Sequence, residues 1–297
     1  MTDPVDRFAA RPLVAHYDAP RAAGEPDLAA RLREAFGAAG HDPERLTLDA
    51  IAGIDQLHLG GRRASRSLAA RGELVPGDRV LDVGCGTGGA SRLLAAAFGS
   101  EVTGLDITPA FVEVAQWLSR ATGLDDRTHF LCADAARVPL PDASVEVVWC
   151  QHALMNMPDA AAVLAEWWRL LVPGGRVLLH EVVAGDEASP LLLPVPWARD
   201  AATSHLRSRH ALEALLTAGG FVPVAVQDVT AAALEWRRKH SRREGEAAAS
   251  GPALPGPGLI FGEVFAEMGR NLRDNLAADR VRIIEGVFRQ SSPPSHS

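Results

Sequence analysis

Three clusters in this chain carry residue types whose order suggests chemistry. The first is Val80-Leu81-Asp82-Val83-Gly84-Cys85-Gly86-Thr87-Gly88-Gly89, where an apolar run gives way to an Ala/Leu-rich stretch. Glycines at a strand-to-helix junction let the backbone turn tightly and approach a ligand closely. The helix start that follows offers unpaired N–H donors. The spacing is G-x-G-x-G, without the two-residue gap of the dinucleotide fingerprint, so no pyrophosphate cradle is implied. The second cluster is Asp106, about 20 residues past the central glycine, where a carboxylate can accept both hydroxyls of a ribose. The third is Asp134-Ala135. Its carboxylate can accept from an adenine amino group while the next backbone N–H donates to the ring. Alone, Asp106 or Asp134 is equally a helix N-cap. Together, at three successive strand ends, they describe one nucleoside pocket.

The elements that must hold these residues alternate. Arg79–Val83, Glu101–Asp106, His129–Cys132, Val145–Cys150 and Arg176–Val183 read as strands. Helical patterns run over Ala90–Phe98, Pro109 to about Thr122 and Asp159–Leu171, with Thr108 as a possible N-cap and Pro109 in the first turn. Strands separated by helices of this length imply βαβ units and a mostly parallel sheet. Helical patterns at Leu28–Ala38 and Gly61–Arg71 read as a cap over residues 1–75. The core then spans 76–297, with a Pro-rich insertion at 184–207. A helix (Arg209–Ala218), a strand (Phe221–Val229) and helices (Ala231–Lys239, Phe261–Asn275) follow. Residues 249–258 read as a mobile surface loop, and Val281–Phe288 as a last, antiparallel edge strand. Trp167 and Trp168 are adjacent on one helix, so at least one must face the sheet.

From Pro76 to Glu181 the chain resembles a class I S-adenosylmethionine (SAM)-dependent methyltransferase. The resemblance rests on the loop Asp82–Gly88, Asp106, Asp134, the segment Gln151-His152-Ala153-Leu154-Met155-Asn156-Met157 and the turn Leu171-Val172-Pro173-Gly174-Gly175. It implies a doubly wound, seven-stranded Rossmann-like α/β sheet with an antiparallel last strand. It also implies that Asp82, Gly84, Gly86, Gly88 and Gln151 hold the methionine portion of SAM. Asp106 and Ile107 would take the ribose, and Asp134 and Ala135 the adenine. Ile54-Asp55-Gln56-Leu57-His58-Leu59-Gly60-Gly61 is similar to a segment in small-molecule methyltransferases related to the sarcosine/dimethylglycine and ubiquinone/tocopherol enzymes. Val195-Pro196-Trp197-Ala198 and Asp228-Val229-Thr230-Ala231 look like the same group.

Methyl transfer from a sulfonium needs an in-line nucleophile and, for an amine, carbon or phenol acceptor, sometimes a base. His152, just past the fourth strand, is a candidate proton acceptor or a residue that orients the loop. His58 is a second candidate, either lining the pocket or satisfying a backbone group. Tyr17, the only tyrosine, is a hydrogen-bond donor in an N-terminal lid or a half-buried anchor. Trp197 offers an aromatic face to the acceptor or anchors its connection. Gln56 joins Tyr17, His58 and Trp197 as an expected substrate-side residue. No metal is expected, because Cys85, Cys132 and Cys150 lack metal spacing and no carboxylates group for Mg²⁺.

Composition narrows the partners. The net charge of −7 gives no reason to expect nucleic acid. The basic run Arg237, Arg238, Lys239, Arg242 and Arg243 is followed at once by Glu244 and Glu246, as on a solvated helix face. Asp3, Asp6 and Arg7 interrupt the N-terminus, so no secretory signal is read there, and no apolar stretch is long enough to span a bilayer. Three cysteines in apolar surroundings argue against a disulfide framework. The expectation is a cytoplasmic protein with a small-molecule substrate, its oligomeric state (a homodimer included) left open. The competing readings are a nicotinamide-dependent oxidoreductase and a non-catalytic SAM-binding protein.

Overall fold

A computed structural model of the chain describes residues 11–17, 26–187, 189–247 and 254–291. Asp3, Asp6, Arg7, residues 249–253 and the side chains of Arg242, Arg243, Glu244 and Glu246 lie outside the described parts. The strands are β1 (Arg79–Val83), β2 (Glu101–Asp106), β3 (Thr128–Cys132), β4 (Val145–Gln151), β5 (Leu171–Ala184), β6 (Phe221–Asp228) and β7 (Val281–Gln290). The helices are α1 (Arg11–Tyr17), α2 (Leu28–Ala38), α3 (Ala52–Asp55), α4 (Gly61–Arg71), α5 (Gly89–Phe98), α6 (Pro109–Ala121), α7 (Ala160–Leu170), α8 (Arg209–Ala218), α9 (Thr230–Ala247), α10 (Gly258–Phe261) and α11 (Phe265–Ala277).

The seven strands form one sheet in the order β3-β2-β1-β4-β5-β7-β6. β1 pairs in parallel with β2 and β4, β2 with β3, and β4 with β5. β7 is antiparallel to both neighbours. Parallel strands covered on both faces are near-continuous apolar runs, because each face must be buried. Val80, Leu81 and Val83 of β1 and Val147 to Cys150 of β4 are accordingly buried. One face packs on α7 and α8 through Val148, Trp167, Leu212 and Phe221. The other packs on α4 and α5 through Leu68, Val80, Leu94 and Trp149. Outside the sheet, α2 buries Leu28, Leu32 and Phe36 against Phe111, Val114 and Trp117 of α6, with Phe261 in the same cluster.

The structure corrects three sequence expectations. β7 is not an edge strand: it lies between β5 and β6, and almost all its residues are buried. β6 takes the edge, where Val222 and Val224 are 53% and 60% exposed and Pro223, which has no N–H to give a ladder, is tolerated. The helix expected over Phe261–Asn275 is broken into α10 and α11, because Gly262 adopts φ 76° between them. Thr108 occupies the N-cap of α6 but its hydroxyl caps nothing. The turn Leu171–Gly175 is absorbed as the irregular start of β5, where the register jumps between Val145 and Val147. α9 runs on beyond Lys239 to Ala247. The stretch before α10 is in contact with α3: a Cβ on Gly53 would lie 2.6 Å from Pro255 O.

Candidate functional site

The C-terminal ends of β1, β2, β3 and β4 open into a cavity of about 420 Å³, within the range of roughly 300–1,000 Å³ usual for small-molecule sites. Its inner end is the glycine loop. The N–H groups of Gly84 and Cys85 both donate to Leu105 O, at 2.8 and 3.0 Å, which ties the loop to β2. Gly84 sits at φ 72°, and a Cβ there would lie 2.4 Å from Ala153 Cβ. Asp106, at the end of β2, accepts from Gly86 N at 2.9 Å and from Thr108 N at 2.8 Å. Burial pushes its carboxyl up and those N–H donors pull it back. Each carboxylate oxygen keeps a further lone pair for a ligand hydroxyl. Asp82 is buried behind the loop, accepts from Ser91 Oγ at 2.6 Å, and is pushed up to about 6 by burial. Asp134 accepts from Ala136 N at 2.9 Å and, with Ala135 and Ile107, lines the same cavity.

The outer end is assembled from segments far apart in sequence. Tyr17 of α1 reaches Asn156 Oδ1 with its hydroxyl at 3.4 Å and stacks at a tilt on Phe111, centroids 5.3 Å apart. Burial holds its phenol above the usual value, so it stays a donor. His16 Nε2 lies 3.0 Å from Pro196 O, joining α1 to the Pro-rich connection. Asn156 Nδ2 donates to Trp197 O at 2.8 Å and to Thr203 O at 2.9 Å. Trp197 is buried, lines the cavity and donates from Nε1 to Ser204 Oγ at 3.1 Å.

Between the two ends stand three histidines. His152 follows β4 in the left-handed region at φ 50° and donates its backbone N–H to His180 O at 2.9 Å. The His152 and His180 rings stack 4.9 Å apart, and His58 packs edge-on against both, at 6.0 and 5.8 Å. Burial drives all three below the usual imidazole value, His58 to about 4 and His180 to about 3. They are therefore neutral at physiological pH. Both ring nitrogens of His58 are engaged inside the protein: Nδ1 on Leu59 O at 3.1 Å, and Nε2 near Gln56 Oε1 and Ser65 Oγ at 3.0 and 3.2 Å. His152 Nε2 is buried with no partner. Among the described residues, no group of three or more His, Cys, Asp or Glu is placed to hold a metal ion.

Of the residues singled out in the sequence, Asp82, Gly84, Gly86, Asp106, Ile107, Asp134, Ala135, Gln151, His152, His58, Tyr17 and Trp197 all line this one cavity. Gly88 and Gln56 do not. Gly88 is the αL N-cap of α5, and a Cβ there would meet Arg92 and Phe130 at 2.8 Å. Gln56 lies behind His58, accepting from Ser65 Oγ at 3.3 Å. Sequence reasoning missed Asp55, Phe111, Asn156, His205 and Phe261, which also line the cavity, and His180 behind it. Asp55 and Asn156 stood inside the segments already noted, without a role. Phe261 and His205 had no local signal.

Residues 81–179 match a family described as a methyltransferase domain. The chain is 34% identical over 194 residues to the 27-O-demethylrifamycin SV methyltransferase of Amycolatopsis mediterranei, covering 62% of this chain and 68% of that one. The chain belongs to the SAM-dependent methyltransferase family. Other relatives of this methyltransferase match over shorter stretches. The methyltransferase GfsG of Streptomyces halstedii is 38% identical over 44% of this chain and 47% of its own. The tocopherol O-methyltransferase of Arabidopsis thaliana is 37% identical over 37% of this chain and 33% of its own. The fold is shared with phosphoethanolamine N-methyltransferase 2 of Haemonchus contortus, solved with SAM (TM-score 0.69, 20% identity, 92% of this chain and 62% of that one). It is shared equally with the [4+2]-cyclase SpnF (TM-score 0.66, 22% identity, 90% and 97%). Family membership sets aside the nicotinamide-dependent reading, and SAM is the cofactor. The methyltransferase residues fit that group. The Gly84 loop has no room for a side chain, and Asp106 presents a buried carboxylate. Gln151 Oε1 is held by Ser65 Oγ and Trp149 Nε1, at 3.0 and 3.1 Å, which leaves its buried Nε2 without a partner.

Proposed function

We propose that this protein transfers the methyl group of SAM to a small molecule enclosed between the sheet end and the segments bearing Tyr17 and Trp197. One observation carries the reading: a single cavity runs from Asp106 and Asp134, past Gln151 and His152, to Tyr17, Trp197 and Phe261. Asp82, Gly84, Gly86 and Gln151 hold the methionine portion, Asp106 and Ile107 the ribose, and Asp134 and Ala135 the adenine. The acceptor lies against Tyr17, Trp197, Met155 and Phe261, a wall that is mostly apolar and, among the described residues lining the cavity, carries no Lys or Arg. That lining supports an uncharged acceptor with apolar bulk.

When bound, SAM supplies an electrophilic methyl group on a sulfonium. The protein contributes position and dryness: α1 and the 195–205 segment meet over the cavity and keep water from the reacting atoms. His152, which lines the cavity with its ring held neutral by burial, is the residue we assign to take the proton from an acceptor hydroxyl or amine as the new bond forms. His58, with both nitrogens committed, orients the neighbouring residues. The helices of residues 1–75 serve as a lid, and the remainder as the catalytic core.

The test is release of S-adenosylhomocysteine from SAM in the presence of apolar phenols, quinols, alcohols and amines. Release that depends on one of these compounds, and falls at least about tenfold in His152→Ala, is expected from the contribution of a general base. Tight SAM binding with no release for any of these classes would overturn the reading, leaving a binding protein or a different reaction on the same fold.

A further inference from the structure

His205 lines the outer end of the cavity, partly exposed, just after the Pro-rich connection. Its main chain is fixed on both sides. The N–H donates to Met155 O at 2.7 Å, and the carbonyl accepts from Arg207 Nη1 at 3.1 Å. The same guanidinium donates to Leu154 O at 3.3 Å, Met157 O at 2.9 Å and Pro158 O at 3.4 Å. Arg207 therefore holds the short 3-10 helix Leu154–Asn156 and the His205 main chain in one frame. Its own donors are spent on carbonyls, and it does not line the cavity. The His205 ring, by contrast, makes no hydrogen bond to another described residue. The other polar side chains at this end are committed. Tyr17 donates to Asn156 Oδ1, Asn156 Nδ2 to Trp197 O and Thr203 O, and Trp197 Nε1 to Ser204 Oγ. Thr203 Oγ1 donates to Asp200 O at 3.4 Å, and Asp159 caps α7 by accepting from Ala162 N at 3.0 Å. A ring on a main chain held this firmly, with nitrogens that no protein group takes, is preorganised for a ligand.

We propose that His205 recognises a hydroxyl group of the acceptor, remote from the atom that is methylated. The inference rests on the cavity holding the acceptor at this end. Burial and the Arg207 charge both hold the imidazole below its usual value, so the ring is neutral at physiological pH. A neutral imidazole offers one donor and one acceptor, and a hydroxyl can answer either. An anionic group does not fit. The ring brings no charge, Arg207 has given its donors to the main chain, and among the described residues lining the cavity there is no Lys or Arg. The acceptor is therefore an apolar molecule with two polar functions. One is the nucleophile, served by His152, and the other is a hydroxyl held by His205. Tyr17, Met155, Trp197 and Phe261 supply the apolar contact between them.

The experiment truncates protein and acceptor together. Release of S-adenosylhomocysteine by the full chain is measured with matched pairs of apolar phenols and diphenols, and of alcohols and diols, each pair sharing one carbon skeleton. Wild type should favour the dihydric member. In His205→Phe the ratio of kcat/KM within a pair should shrink by about 3- to 10-fold, the scale of one neutral hydrogen bond. The change should come through KM of the dihydric member, because the lost contact serves binding and not the reacting atom. Comparing the ratio between the two proteins cancels the intrinsic reactivity of each compound. His205→Gln, which keeps a donor and an acceptor but takes up no proton, should restore part of the preference. Equal loss on both members would make His205 a support of the wall and overturn the proposal, as would a preference unchanged in His205→Phe. A kcat that falls about tenfold or more on both members in His205→Gln would overturn it differently, by making His205 the proton acceptor. If wild type releases nothing from any pair while SAM still binds, the small-molecule reading of the cavity fails first, and the proposal falls with it.

Discussion

The two ends of the cavity are built in different ways. At the cofactor end, residues close in sequence to the ends of β1 and β2 converge through backbone N–H donors: Gly84 and Cys85 on Leu105 O, Gly86 and Thr108 on the Asp106 carboxylate. At the acceptor end, Asn156 gathers Tyr17 of α1 with Trp197 and Thr203 of the 195–205 segment, two stretches of chain remote from it and from each other. The first end follows from the sheet. The second depends on side chains reaching across the molecule, so it can change without disturbing the first. Insertions and loops that carry specificity over a rigid scaffold follow the same logic.

The sharpest break of that contrast is Gly84→Val. It puts a Cβ 2.4 Å from Ala153 Cβ and a β-branched residue at φ 72°. Backbone strain and overpacking each cost about 1–3 kcal/mol, and the loop can relieve them only by moving out of the cofactor end. We expect SAM affinity by calorimetry to fall by roughly 100-fold or more, on the scale of those two costs. Unchanged affinity would show that the loop does not shape the SAM site.

Asp106→Ala comes next. It removes a charged acceptor from the ribose, worth about 1.5–3 kcal/mol of binding. It also frees the Gly86 and Thr108 N–H groups, so the melting temperature should drop as well. A variant that melts earlier but binds SAM normally would mean that Asp106 serves the loop alone.

Asn156→Ala tests the other end. Two carbonyls lose their buried donor, which should cost about 1–3 kcal/mol of stability. SAM affinity should stay within about twofold, because none of those bonds touches the glycine loop. A large loss of SAM affinity would show that the two ends are not separable.

How much of this was legible in the sequence follows the same division. Asp106 and Asp134 could be placed because strand ends and glycine spacing fix them locally. Gly88 shared the motif but serves helix packing, a distinction that depends on where Arg92 and Phe130 lie. The interior position of β7 could not be read, since alternation marks one strand's faces and not its neighbours. The His58, His152 and His180 cluster needs the sheet register and the preceding segment to be known together. Asn156 and Asp55 are single polar residues whose partners are remote, so no local pattern marked them.

The smallest effect concerns Glu181, which anchors the segment between the two ends by accepting from Leu154 N at 2.7 Å and Val182 N at 2.8 Å. Burial raises its carboxyl from 4.5 to about 7. A group raised on folding stabilises fully below its unfolded value, and that contribution is lost as pH rises through the folded value. Stability should therefore fall from about pH 4.5 to about pH 7 through this group. Glu181→Gln should flatten the fall and raise the melting temperature by a few degrees at pH 8. A variant with the wild-type pH dependence would place the titrating group elsewhere.

The central claim, one cavity with cofactor and acceptor at opposite ends, is tested most directly by a crystal structure of the complex with S-adenosylhomocysteine. Adenine is expected beside Asp134, ribose on Asp106 and the sulfur near Gln151 and His152, facing the space bounded by Tyr17 and Trp197. A ligand whose sulfur faces bulk solvent, or which itself fills the space between Tyr17 and Trp197, would contradict it.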